Sequence, residues 1–544
     1  MKRRLLCLLL VLTLMITPTG CKKNTDGSGG GFRFPIAAEP TGLDPQMATD
    51  DSAVTVLCAL FEGLTRLDSN GRAIPAAADW TVSEDGLTYT FTLRDSYWSV
   101  NSVKGEIHPW DDPLPVTADD FLFAFHRLAD PAIASPLAAE LYGIVNADAV
   151  TAGEKPLEEL GVAAVDDKTL TITLTDPDDH LPVRLATSPF FPCHRAFFEH
   201  TAGRYGLEVK YLLSNGPFRL TAWNHNESLL LYKHESYHEA ASIAPEAVRF
   251  VIGTADPLAA LQSGDLSAAP LTAEQAGKGG KELRVDTLND AVRSVWLNTS
   301  ADPLSEVHIR RALRDSIEWN SVDDLLTRQG ETVAAGYVPP AATVEGAPYR
   351  KEDNRLPHVT DVEGAIQNLQ AGIRELYPDG NGSASRIRIE LLAAEDPLSA
   401  DLARYILQSW QKHLGITVTL KLIPETDLAS RVKSGNYQAA LYTYTPTGLT
   451  GAENLASFAS TATDNAARLV DKKVDAAIMA AQTGGREELT ALEKAVWEAC
   501  PAIPVGFPCR YYGFAAGTAD IVVRPFGGGR YQAPLDFREA KMYE

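Results

Sequence analysis

Only six cysteines occur in 544 residues, and no two form a Cys-x-x-Cys pair, so zinc-finger and thioredoxin-like readings have no support. Cys7 and Cys21 fall at the N-terminal end, leaving Cys58, Cys193, Cys500 and Cys509 for the body of the chain. Cys500 and Cys509 could bridge in an oxidising compartment, or all four could stay reduced in an anaerobic host. Basic residues are scarce too: 49 Lys and Arg stand against 71 Asp and Glu, a formal net charge of −22. That balance argues against nucleic acid or an anionic membrane as partner of the protein body, and a solvated acidic surface is its plainest meaning. Catalytic signatures are missing as well. There is no G-x-S-x-G elbow, no P-loop and no G-x-G-x-x-G after a strand.

Long apolar runs are absent beyond Leu5 to Ile16. Lys2, Arg3 and Arg4 precede that run and small residues lead from it to Cys21, the layout of a secretory signal over residues 1–20, too short to span a bilayer. Its loss takes the net charge from −22 to −25. Thr19-Gly20-Cys21 ends like a bacterial lipoprotein cleavage box, with Pro18 where that box usually has Leu. On that reading the Cys21 thiol carries a lipid that anchors an extracytoplasmic protein to the cell membrane; the alternative is an ordinary cleaved signal and release. Residues 21–31, with "NTDGSGGG", form a flexible tether.

With 45% hydrophobic residues, the remainder has ample core for three or four units of about 150 residues. Thr88 to Leu93 alternates Tyr89, Phe91 and Leu93 with threonines, the period of a strand buried on one face. Thr117 and Asp120 make a capping box for a helix whose apolar face is Phe121, Ala124, Phe125 and Leu128, stopped at Asp130-Pro131. Phe32 to Ala38 predicts a strand, Ser52 to Leu67 a helix, and Leu170, Ile172 and Leu174 another half-buried strand. Leu402, Tyr405, Ile406 and Trp410 predict one helical face, ended by Gly415 before a strand over Thr417 to Leu422. A helix followed so closely by a strand is the grammar of an α/β lobe.

The strings "AADWTVSEDGLTYTFTLRDSYWSV" and "PVTADDFLFAFHRLADPAIASP" resemble the signature region of the peptide and nickel class of extracytoplasmic solute-binding proteins of ABC importers. So do "EPTGLDP", "FEGL", "SNGPFRLTAW", "WLNTS" before "HIRRAL", and "PAIPVGF", so the resemblance runs from about Phe32 to Glu544. It implies an α/β, two-lobed periplasmic-binding-protein type II fold with an extra domain inserted in the first lobe. Lobe one is expected at 32–70, 185–290 and 506–544, the insertion at 71–184, and lobe two at 291–505. Hinges are expected near Asp290 to Arg293 and near Pro504 to Pro508, where two crossings would let the lobes close on a ligand.

The resemblance also implies a monomer without cofactor or catalytic turnover, which passes an oligopeptide to the permease and ATPase subunits of an importer. In peptide-binding members an acidic residue three positions after an aromatic pairs with the ligand α-ammonium. Here Tyr444 takes the aromatic position and Thr447 the acidic one, so the usual counter-ion is missing. Glu39 or Glu453 would have to substitute, or the ligand presents no free amine there; a metal chelate or an oligosaccharide is the alternative guest. Glu39 matches a glutamate lining the family's ligand site, though it could simply cap its own turn. Arg314 stands where the family carries a lysine near the cleft, though a helix-surface charge is the plainer reading of its position.

His234-Glu235-Ser236-Tyr237-His238 satisfies H-E-x-x-H, the basis of a third reading as a secreted zinc hydrolase. That chemistry needs both histidines one turn apart on a helix. The run follows the strand-like Ser228 to Lys233, where the family has a turn, so a turn is expected and no helix.

Overall fold

The computed structural model describes residues 31–542 apart from 70, 100–112, 280–282, 345–346, 447–449, 463, 483 and 529–530. The signal segment, Cys21, most of the tether and Thr447 lie outside the described residues.

Strand Thr88–Leu93 forms where the alternation predicts it, with Tyr89, Phe91 and Leu93 buried. It is the inner partner of Ala78–Val82 and Thr169–Thr173, and Val162–Asp166 completes an antiparallel four-stranded sheet. Helix Ala118–Ala129 lies against this sheet with its capping box in place and Phe121, Ala124, Phe125 and Leu128 buried. Asp120 also accepts the indole N–H of Trp98 at 3.2 Å, tying the helix start to the loop before it.

A second four-stranded sheet runs Phe32–Ile36, Ala247–Ile252, Ser228–Lys233, Phe218–Asn224, and a three-stranded sheet sets Arg510–Phe514 between Ala268–Leu271 and Arg284–Leu288. One apolar cluster runs through this lobe and the 78–173 sheet together, from Phe32 and Phe250 to Phe91 and Phe121. The helix expected over Ser52 to Leu67 is shorter, Asp51–Leu60. It stops because Glu62 N–H turns to the Asn215 side chain at 3.0 Å and Gly63 packs so closely on the Leu185 carbonyl that a Cβ would come within 2.6 Å of it. Thr65–Leu67 is then free to pair as a strand with Ala73–Pro75.

The other lobe is built on a six-stranded sheet, Thr332–Val333, Ala502–Phe507, Val292–Leu297, Ala439–Tyr444, Arg388–Ala394, Thr417–Ile423, parallel among the last three and antiparallel before them. Both faces are covered, so Val292–Leu297 is buried at every residue. Val295 and Leu297 face helices Val307–Asp315, Trp319–Thr327, Val362–Leu376 and Pro397–Leu414, while Trp296 faces Glu425–Ser434, Gly451–Ala456, Lys472–Gln482 and Arg486–Ala499. In Pro397–Leu414 the residues Leu402, Ile406 and Trp410 are buried as read, but Tyr405 is 40% exposed, because it lies at the edge of the apolar stripe. Gly415 ends the helix in the left-handed region.

This second lobe closes around one buried carboxylate. Glu493, 1% exposed, accepts the backbone N–H of Tyr337 at 2.8 Å and of Val338 at 3.0 Å. It also takes the Tyr349 hydroxyl at 3.0 Å and both terminal nitrogens of Arg350. Gly336 is required beside it, since a Cβ there would meet Glu493 Oε1 at 2.4 Å. Glu493→Ala leaves Arg350 buried without its counter-charge, and denaturant unfolding is expected to show a loss of about 3–5 kcal/mol. A loss under about 1 kcal/mol would contradict this role.

Candidate functional site

The two lobes are joined where two chain segments cross side by side. Strand Arg284–Leu288 of the three-stranded sheet passes through Asn289, Asp290 and Ala291 into Val292–Leu297 of the six-stranded sheet. Strand Ala502–Phe507 returns through Pro508 and Cys509 into Arg510–Phe514. The strands pair antiparallel on both sides of the crossing, Leu288 with Arg510 and Arg293 with Gly506. The crossings are therefore shorter than the expected hinge segments, because Val292, Arg293 and residues 504–507 are already held in the lobe-two sheet.

Asp290 sits between them and is fully buried, at 0% exposure. Its carboxylate accepts Arg510 Nε at 2.7 Å and Nη2, and the backbone N–H of Phe526 at 2.8 Å. A buried carboxylate needs such charge-assisted partners to hold its charge. Phe526 comes from the segment after the return crossing, yet its ring is buried in the lobe-two cluster with Trp296 and Tyr337. Cys509 Sγ donates to Asn289 Oδ1 at 2.9 Å, linking the two crossings again. Cys58, Cys193, Cys500 and Cys509 are all free thiols, and burial pushes the Cys500 thiol up.

Tyr444 ends its strand opposite Val292, at the crossover end of lobe two. Its ring meets Trp296 edge-on with centroids 5.7 Å apart. Thr447, three residues on, lies outside the described residues. Glu453 accepts the Thr450 N–H at 2.9 Å in a capping box. Arg184 lies 3.8 Å over the Tyr142 ring, and Tyr142 remains 57% exposed.

Glu39 and Arg314 are not brought together. Glu39 takes Trp223 Nε1 at 2.7 Å, His225 Nδ1 at 2.8 Å and the Asn226 N–H at 2.8 Å. Burial opposes its charge, but these bonds outweigh it and hold the carboxyl below its usual range. Arg314 lies 4.3 Å over the Trp497 ring, donates to the Trp497 carbonyl at 2.9 Å and pairs with Asp315 at 2.7 Å. Both residues spend their polar atoms within their own lobe.

The His234 to His238 run is a turn, not a helix. His234 Nδ1 lies 3.1 Å from the Gly216 carbonyl, while His238 Nε2 lies 2.6 Å from Glu62 Oε2, and Tyr237 donates its hydroxyl to Glu62 Oε1. The two histidines thus serve different neighbours. Among the described residues no group of three or more His, Cys, Asp or Glu side chains could hold a metal. Glu62 forms part of a lobe-one pocket, which Arg66, Arg524, Asp536 and Arg538 also line. Arg524 and Arg538 there are paired with Asp536.

Sequence reasoning missed the Asp290–Arg510 pair and the role of Phe526. Their partners are more than 200 residues apart, so no local pattern signals them.

Residues 74–466 match the family described as "Bacterial extracellular solute-binding proteins, family 5 Middle". The oligopeptide-binding protein OppA of Bacillus subtilis strain 168 is 30% identical over 462 residues, 80% of this chain and 81% of that protein. The substrate-binding domain of an oligopeptide ABC transporter from Bacillus anthracis superposes with a TM-score of 0.71 at 27% identity, covering 94% of this chain and 98% of its own. Listeria monocytogenes OppA bound to peptide gives 0.71 at 22% identity, covering 95% and 100%, and shares the fold.

The Glu39–His225 contact makes a testable prediction. The bond to Glu39 is the main cause that raises the His225 pKa above its ordinary value. A raised folded pKa means this contact adds stability below the ordinary pKa, and the gain is lost as pH rises through the folded value. An NMR titration is expected to show the His225 midpoint above about 6.5, falling on Glu39→Gln; an unchanged midpoint would contradict the contact.

Proposed function

This chain belongs to family 5 of the bacterial extracellular solute-binding proteins, and from that premise we propose that it captures oligopeptides between its lobes and delivers them to an ABC permease with its ATPase subunits. The observation that carries the reading is the pair of side-by-side crossings: two short links pinned by one buried carboxylate let the lobes approach or part with few backbone rotations. The relatives named for oligopeptide binding support the choice of guest.

A peptide bound this way is held through its backbone, with room for varied side chains. Tyr444 borders it from lobe two, with Thr447, Glu39 and Arg314 as the further residues the family resemblance assigns. The closed form is the one the permease selects. The protein acts as a monomer without chemical turnover, tethered outside the cytoplasm by lipid on Cys21.

Thr447 offers a hydroxyl where the family pattern has a carboxylate, and Glu39 already accepts three hydrogen bonds. The ligand amine therefore gains little from either residue. Calorimetric titration with matched free-amine and N-acetylated peptides is expected to show binding of both, with affinities within about tenfold, or 1.4 kcal/mol. A loss of a hundredfold or more on acetylation would contradict the reading of Thr447, and failure of every peptide to bind would contradict the proposed function.

A further inference from the structure

Among the described residues of lobe two, the side chains of Trp296, Asn454 and Ser457 have no protein partner although each is more than nine-tenths buried. Trp296 is 4% exposed, Asn454 3% and Ser457 7%. The Trp296 Nε1, both polar atoms of the Asn454 carboxamide and the Ser457 hydroxyl make no hydrogen bond to the protein. Such groups are normally paired, since burying them alone forfeits their hydration.

They belong to one neighbourhood. Asn454 lies on helix Gly451–Ala456 and Ser457 caps its end, so the two share a face at i and i+3. Phe458, the next residue, stacks on the Trp296 ring at 5.5 Å and 20°. The neighbourhood lies toward the crossings, because Trp296 also meets Tyr444, Tyr444 pairs with Val292, and Phe526 packs into the same cluster from the segment held by Asp290. Tyr444 is only half-buried, so the cluster reaches the surface there, at the crossover end of lobe two.

The donor and acceptor inventory selects the chemistry that fits. Trp296 only donates, Asn454 donates through its nitrogen and accepts through its oxygen, and Ser457 does either. A carboxylate would satisfy the donors and leave the Asn454 oxygen unpaired. An ammonium would satisfy that oxygen and leave the indole and amide N–H groups unpaired. A carboxamide answers both, with its NH2 toward the Asn454 oxygen and its carbonyl toward the N–H groups. No formal charge is present among the three, so a neutral guest group meets no penalty for an uncompensated ion.

We propose that Trp296, Asn454 and Ser457 form a receptor for a neutral carboxamide on the bound peptide, an asparagine or glutamine side chain. This rests on the peptide-binding reading above and adds a side-chain preference to it.

The test titrates the full chain with penta-alanine and with two sets carrying a single Gln or a single Glu at each position. In the wild type, Gln at one position is expected to bind about tenfold or more tighter than Glu at that position. Asn454→Leu abolishes that preference, and Trp296→Phe, which keeps a ring, weakens it; thermal melting confirms that both variants fold. Equal affinity for Gln and Glu at every position would overturn the proposal, as would a preference that survives Asn454→Leu, leaving the receptor a site for buried water only. If penta-alanine and both sets all fail to bind, the peptide-binding reading falls and the receptor with it.

Discussion

A carboxylate removed from water between two crossing segments sets the terms for the whole molecule. Asp290 has no exposure, and Arg510 and the Phe526 N–H surround its carboxylate. Each partner does mechanical work. Arg510 begins the strand that returns to the first lobe, and Phe526 carries the following segment into the aromatic cluster of the second. Removing any of the three would leave an unpaired charge or donor in the interior, which is the costliest local defect a protein can carry. The two crossing segments are therefore held to each other while the sheets on either side remain separate.

Each body is rigid for its own reason. The first lobe and the 78–173 sheet share one apolar cluster from Phe32 to Phe121, so the two form one packed body. The second lobe covers both faces of its six-stranded sheet and draws four groups onto Glu493. Between two stiff bodies, the freedom left to the chain is concentrated at the residues that link them. Tyr444, at the end of its strand beside Val292, lies next to those residues.

The elements legible in the sequence are those whose causes are local. Thr88–Leu93 and Ala118–Ala129 announce themselves by alternation, a capping box and Asp130-Pro131, and both form with those features. The family and the two-lobed fold were legible too, through strings spread along most of the chain. What escaped depends on distant partners. The helix read to Leu67 ends at Leu60 because Asn215 and the Leu185 carbonyl intervene. Tyr405 matches the helical period yet faces outward. Glu39 and Arg314 were read from alignment with the family's ligand site, but their hydrogen-bond partners, Trp223 with Asn226 and Trp497, could not be read from spacing. His234 and His238 carry a motif whose letters fit zinc chemistry, while the strand before them ends in a turn that sends each ring to a different neighbour.

The central claim is that two bodies close over a guest about a crossing pinned by Asp290. Small-angle scattering of the purified protein, with and without a saturating peptide shown to bind, tests it most directly. The account predicts a smaller radius of gyration in the presence of peptide. Superimposable curves with and without every peptide that binds would contradict it.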